Sequence, residues 1–311
     1  MIKAVLIIVL ILFFGFVCVY FINPGNIFAD NVITKHNITP LNIYPYSKTY
    51  VKTGLWQPNF SKQPSNININ GKSGLVYNIT DDKLIFIKNP DYKGSIASMV
   101  KVMTAMVALD KYKLNKEIVI SKQASEIEED SMGVLENEKY TLKQLLYGLL
   151  LPSGNDAAFA LAEQETPGNY NQFVNLMNLK AKEIGMNNTV FSNPSGLQEE
   201  NETQYSDIKD VLIMAKYAIR HYPVIKQIAS TKEYYIESNN NHQKLTLYNQ
   251  NFMLEYSNIL GLKTGYTPEA GLCMVVYAIV NDKEVIAIVL NSDNRKADIT
   301  YMLDYAMGMI E

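Results

Sequence analysis

Hydrophobic positions along this chain change period several times, and each change marks an element. Residues Ala4 to Ile22 are continuously apolar apart from one glycine. At 19 residues the run is long enough to span a bilayer. From Asn23 to about Asn70 no period is sustained and Asn, Pro, Ser, Thr, Lys and Tyr dominate, which predicts an extended stalk. Two short β-like runs follow, Gly74 to Asn78 and Lys83 to Lys88, with Thr80-Asp81-Asp82 as a hairpin turn between them. Between Ala97 and Leu109 every residue is apolar except Ser98, Lys101 and Thr104. These recur every third position and draw one polar stripe on a helix that is otherwise apolar all round, and therefore buried. Thr141 to Leu151 predicts a second apolar helix, broken at Pro152-Ser153-Gly154-Asn155, and Asp156 to Glu163 resumes helical composition. A third helix, about Asn171 to Ile184, ends at the capping Gly185. A fourth runs from Ser206, in the N-cap position, to about His221, with Ile208, Val211, Leu212, Ala215 and Ile219 as its apolar face. The last third turns to strands at about Tyr234 to Glu237, Leu245 to Leu247, Cys273 to Val280 and Glu284 to Leu290. The last two are joined by Asn281-Asp282-Lys283, and a helix from Lys296 to Met309 closes the chain. Strands, then a helical block, then strands and a terminal helix give an α+β fold: an antiparallel sheet flanked by helices, with a helical lobe inserted between its strands.

The domain plan is therefore an anchor or signal segment over 1–22, a stalk over 23–70 and a folded domain over 71–311. Lys3 in front of the first apolar run favours the inside, so the remainder of the chain is expected outside the cell membrane. The run is longer than a usual signal core, and Ile27 disfavours cleavage after Ala29, so a retained anchor is the reading and a cleaved signal the alternative. Composition changes this picture little. With 311 residues, 48% apolar content, a net charge of −3 and Arg220 and Arg295 as the two arginines, the chain carries no basic footprint for nucleic acid. Its two cysteines, Cys18 in the first apolar run and Cys273 in a strand-like run, make no disulfide framework. His36, His221 and His242 have no ligand spacing, so neither a metal site nor a Ser-His-Asp triad is expected.

Lys101 is the anomaly. A lysine in a buried helix must be paired, neutral or able to reach solvent, and Ser98 sits one turn before it, where the two side chains can meet. Ser98 and Lys101 form an S-x-x-K motif, and a second copy runs from Ser206 to Lys209. That copy lies on a solvated helix face with Lys216 and Arg220 and reads as structural. Ser153 and Asn155 (S-x-N) stand on a tight loop between buried helices, and Lys263-Thr264-Gly265 (K-T-G) stands beside strand-like sequence. Other matches fail by context: Lys52-Thr53-Gly54 falls in the stalk, Ser238-Asn239-Asn240 in an asparagine-rich turn, and Ser292-Asp293-Asn294 after the last strand.

The order S-x-x-K, S-x-N, K-T-G resembles that of serine penicillin-binding proteins and β-lactamases. The longer segments IASMVKVMTA, LLYGLLLPSGNDAAFALAE, KAKEIGMNNTVFSNPSGL and GLKTGYTPEAGLCMVVYA are similar to the D-alanyl-D-alanine carboxypeptidases of the S11 peptidase family, over about Ser73 to Ala306. The resemblance implies a DD-peptidase/β-lactamase-like fold and a substrate that is a peptidoglycan stem peptide ending in D-Ala-D-Ala. It assigns Ser98 as nucleophile, Lys101 as base, Ser153 as proton shuttle and Asn155 as a positioning group. Lys263 and Thr264 would hold the terminal carboxylate, Gly265 would admit the substrate backbone, and the Ser98 and Tyr266 N–H groups would bind the oxyanion. β-Lactam antibiotics would acylate Ser98 covalently, and no metal or cofactor is implied. Val100 stands where the family commonly has threonine, with no loss of activity expected because that side chain is not a reacting group. Many members carry a C-terminal β domain and an amphipathic membrane helix; the chain stops before either, so the N-terminal run is the expected anchor. A DD-endopeptidase, and an inactive membrane-tethered wall-binding module, are the alternatives.

Overall fold

The computed structural model describes residues 67–164, 168–198 and 203–310. The predicted segment over 1–22 and the stalk up to residue 66 lie outside them. Among the described residues no helix is long and apolar enough to cross a membrane.

Strand β1 (Ser73–Asn78) turns into β2 (Lys83–Lys88). Asn78 Oδ1 accepts from the backbone N–H groups of Thr80 and Asp81, and Asp82 takes a positive φ of 54°. This is an Asx-type turn of the kind the Asn and Asp residues here favour. The helical block follows: α1 (Val100–Lys111), α2 (Leu142–Leu150), α3 (Asn155–Ala162), α4 (Asn171–Ile184), α5 (Ile208–His221) and α6 (Pro223–Ala229). The chain then returns to the sheet with β3 (Ile259–Thr267), β4 (Gly271–Val280) and β5 (Lys283–Ser292), and closes with α7 (Arg295–Met309). The five strands lie in the order β2-β1-β5-β4-β3, every neighbouring pair antiparallel. β4 and β5 are joined by Asn281 and Asp282, both at positive φ, the two-residue turn whose twist matches a hairpin.

Strands β1, β4 and β5 read as nearly unbroken apolar runs because both faces of the sheet are covered. Leu75, Tyr77, Val275, Tyr277, Ile286 and Ile288 join the core of the helical lobe. The alternate residues Val76, Met274, Val276, Ala287 and Val289 pack with Ile299, Met302, Leu303 and Ala306 of α7. Ile69 belongs to this second core, and Asn70 and Gly71 donate their N–H groups to Asp298. Ile67 and Ile69, both ahead of residue 71, thus pack with the folded domain.

Local signals explain most element ends. Thr141 and Gln144 form a capping box at α2, Gly185 ends α4 in the left-handed region at φ 93°, and Pro223 opens α6. One expectation fails: Ser206 is not the N-cap of α5. That role belongs to Asp207, whose side chain accepts from Asp210 N, while Ser206 pairs with Gly94 in a two-residue strand. The second S-x-x-K is therefore split between a strand and a helix, and its Lys209 pairs with Asp91 at the surface. The predicted strands near Tyr234 and Leu245 form their own hairpin, Glu233–Ile236 with Leu245–Tyr248, apart from the main sheet.

Candidate active site

Ser98 lies in a single 3-10 turn, Ala97–Met99, that leads directly into α1. The turn is bent: Ala97 takes φ 46°, in the left-handed region that costs an L-residue about 1–2 kcal/mol. Two glycines press on it. A Cβ on Gly265 of β3 would lie 2.9 Å from Ile96 O and 3.1 Å from Ser98 N. A Cβ on Gly196, itself at φ +88°, would lie only 2.2 Å from Ala97 O. Backbone on backbone therefore fixes the Ser98 turn between the β3 edge and the loop through Gly196.

The predicted polar stripe of α1 faces that same loop. Thr104 Oγ1 donates to Pro194 O at 2.6 Å, and Lys101 Nζ donates to Ser195 O at 2.7 Å. Asn193 Oδ1 shapes the loop by accepting from Ser195 N, Ser195 Oγ and Gly196 N. Lys101 does not snorkel; it is fully buried. Its Nζ also lies 2.8 Å from Ser98 Oγ and 2.8 Å from Asn155 Oδ1. Two of its three partners, the Asn155 and Ser195 oxygens, can only accept, whereas the Ser98 hydroxyl can donate or accept. A charged amine satisfies all three with its three N–H bonds. A neutral amine gives its two N–H bonds to the carbonyl oxygens and turns its lone pair to the Ser98 hydroxyl. The same heavy-atom positions thus suit the lysine with or without its third proton.

The surroundings shift Lys101 towards its neutral form. Burial holds the Lys101 pKa well below its ordinary 10.5, the Lys263 ammonium adds to that, and Asp130, Asp156 and Glu129 pull the other way. Lys263, also buried, is pushed down to about 7, by burial first, with Asp130 opposing and Arg295 adding. Its Nζ donates to Thr264 O at 3.1 Å. Thr264 is buried, and Tyr266 is 60% exposed beside them on β3, the terminal strand of the sheet.

Asn155 is the first residue of α3, and the loop before it is built tightly. Gly154 N donates to Gly148 O and Asn155 N to Asp130 O. Asp156, buried, accepts from Met132 N and Ala157 N on Oδ1, and from Ser131 Oγ, Gly133 N and Val134 N on Oδ2. One carboxylate thereby ties the 131–134 loop to the start of α3. Gln250 closes the arrangement, its Nε2 donating to Asp130 Oδ1 and Pro152 O. Between these ties Ser153 sits at φ 67° with a buried Oγ that has no hydrogen-bond partner among the described residues. A buried hydroxyl without a partner in a strained turn is uncommon in a folded protein.

Ser98, Lys101 and Asn155 thus meet directly, Gly265 of the K-T-G segment abuts the Ser98 turn, and Lys263 acts on Lys101 electrostatically. Sequence reasoning missed four contributors. Ser195 acts through its carbonyl, which leaves no side-chain signature, although the glycine and proline of SNPSG mark the loop. Asp130 and Gln250 are ordinary polar residues in sequence and acquire a role only by contact. Arg295 donates from the start of α7 to Gly265 O at 2.8 Å and to Cys273 O at 3.4 Å, placing a cation behind the K-T-G strand.

The profile of the D-alanyl-D-alanine carboxypeptidase (S11 peptidase) family matches residues 59–294. D-alanyl-D-alanine carboxypeptidase DacF of Bacillus subtilis is 35% identical over 259 residues, which are 80% of this chain and 65% of that protein. D-alanyl-D-alanine endopeptidase of Escherichia coli is 34% identical over 224 residues, 71% of each chain. The chain thus spans about two thirds of the length of these relatives. Among solved structures, the Streptomyces K15 DD-transpeptidase superposes with a TM-score of 0.73 at 30% identity, covering 79% of this chain and 100% of that one. The fold and the sequence agree: this chain belongs to the S11 peptidase family of D-alanyl-D-alanine carboxypeptidases.

Proposed function

We propose that the protein is a serine-type D-Ala-D-Ala carboxypeptidase that removes the terminal D-alanine from peptidoglycan stem pentapeptides and is acylated by β-lactams. The observation that carries this reading is Lys101, fully buried, with Ser98 Oγ and Asn155 Oδ1 each 2.8 Å from its Nζ. The Ser98 hydroxyl passes its proton to the neutral Lys101 amine as Oγ bonds to the carbonyl carbon of the penultimate D-alanine. The backbone N–H groups of Ser98 and Tyr266 receive the oxyanion. As the C–N bond breaks, the proton on Lys101 moves through the Ser153 hydroxyl to the departing amine, and free D-alanine leaves. Water then adds to the acyl carbon, Lys101 again taking a proton and returning it to Ser98 Oγ as the Oγ–C bond breaks and the shortened peptide leaves. Lys263 and Thr264 hold the terminal carboxylate, with Arg295 adding positive potential from behind the strand. Gly265 lets the substrate lie along the β3 edge as an added strand.

Related proteins carry the names carboxypeptidase, endopeptidase and transpeptidase. These activities share the acyl-serine step and differ in leaving group and acceptor. DD-endopeptidase action on cross-links is therefore the second reading, favoured by the endopeptidase relative at 34% identity. Incubation with a D-Ala-D-Ala pentapeptide and with cross-linked muropeptides, with products read by mass, separates the two. D-alanine released at the wild-type rate by Ser98→Ala would overturn the nucleophile assignment. In this reading the run Ala4 to Ile22 tethers the catalytic domain to the outer face of the cell membrane. Membrane fractionation of the full chain, with N-terminal sequencing of the mature protein, tests it.

A further inference from the structure

Away from the Ser98 site, a surface cleft of about 490 Å³ lies along the start of α7. Its lining includes Tyr256, Asn294, Thr300, Tyr301 and Asp304. Two large aromatic rings are left in solvent there, Tyr256 at 44% and Tyr301 at 50% exposure. Lys296, which also lines the cleft, pairs with Glu255 at 2.8 Å, both side chains half exposed. Asn294 caps α7 through Oδ1, accepting from Ala297 N, and its amide N–H groups have no partner among the described residues. Asp304 makes no ion pair among them either.

We infer that this cleft is a glycan subsite, which takes the amino-sugar backbone of the polymer whose stem peptides are cut at Ser98. Exposed aromatic faces carry negative potential and attract the C–H face of a sugar ring. A carboxylate acceptor, an amide donor and the Thr300 hydroxyl around them match the hydroxyl and acetamido groups at the sugar edge. The cleft is also connected to the acylation site. Arg295 lies between Asn294 and Lys296 in sequence and donates to Gly265 O, and Gly265 abuts the Ser98 turn. The inference rests on the peptidoglycan reading, and it predicts a preference for polymeric over free peptide substrate.

The test uses the full chain carrying Ser98→Ala, so that binding is read without turnover. The β-1,4-linked tetramer of N-acetylglucosamine is titrated while backbone amide shifts of Asn294, Tyr301 and Asp304 are followed. Saturable shifts at roughly millimolar affinity are expected. Adding Tyr301→Ala should weaken them about tenfold. With Ser98 intact, Tyr301→Ala should raise the KM for isolated sacculi and leave D-alanine release from free pentapeptide unchanged. Absence of shifts, equal loss on both substrates, or the same shifts with a tetralysine peptide would overturn the inference. Glycan binding without any D-alanine release by the wild-type protein would instead count against the carboxypeptidase reading.

Discussion

Gly196→Ala isolates the contact that fixes the nucleophile turn. The added methyl would sit 2.2 Å from Ala97 O, 2.5 Å from Ala97 C and 3.0 Å from Ser98 N, all backbone atoms with no rotamer to yield. Position 196 is also at φ +88°, where alanine costs about 1–2 kcal/mol more than glycine. Overpacking adds about 1–3 kcal/mol. The combined loss is roughly 2–5 kcal/mol of stability, read from urea unfolding. Relieving the clash moves the loop or the Ser98 turn by about 1 Å, and misplacement of that size at a reacting centre costs about 100-fold in rate. Second-order acylation by a β-lactam, followed by intact mass, should fall by that factor. Gly308→Ala is the control: nothing lies within 4 Å of the added methyl on α7, and the change should be neutral or stabilise by about 0.5 kcal/mol. If Gly196→Ala acylates within threefold of wild type, the loop does not position Ser98 and the account of the turn is wrong.

Three further predictions concern the charges. Activity should rise with pH as Lys101 loses its proton, and kcat/KM, which reports the free enzyme, should turn down as Lys263 deprotonates near 7. Bound substrate carboxylate stabilises the Lys263 cation, so the falling limb of kcat should lie at higher pH; coincident limbs would argue against Lys263 as the carboxylate site. Between about 7 and 10.5 the unfolded chain binds a proton on Lys263 that the folded protein lacks, so stability should rise with pH across that window. The contribution is up to about 1.4 kcal/mol per pH unit, and Lys263→Met should remove it from denaturation curves. Asp156→Asn puts a donor among five donors and should cost about 3 kcal/mol and slow acylation, because the 131–134 loop and the start of α3 lose their shared acceptor. Unchanged thermal unfolding would contradict that role.

How legible these features were in the sequence follows from where each signal resides. The helices of the inserted lobe show themselves because each turns an apolar face to one core, and Gly185 and the Thr141 box mark their ends. The buried stripe of Ser98, Lys101 and Thr104 was visible as a violation of that pattern. Helix α6 was not, because Tyr222-Pro223 reads as an end, whereas proline at the first helical position begins a new helix. Strand β3 was legible only as context for Lys263. It carries Gly261, Gly265 and Lys263, chosen for what approaches the strand rather than for strand propensity. The N-cap of α5 fell to Asp207 because Ser206 is drawn into pairing with Gly94, a tertiary contact with no local sign. Ser195, Asp130, Gln250 and Arg295 act through carbonyls and long-range hydrogen bonds, which no spacing rule encodes.

The central claim is that Lys101 is the base because it is held neutral beside Ser98. Its most direct test is an NMR titration of the Lys101 side-chain nitrogen in the free protein, assigned by comparison with Lys101→Met. The account predicts a midpoint well below the ordinary lysine value of 10.5. A Lys101 that titrates as an ordinary surface lysine would contradict it and require another acceptor for the Ser98 proton.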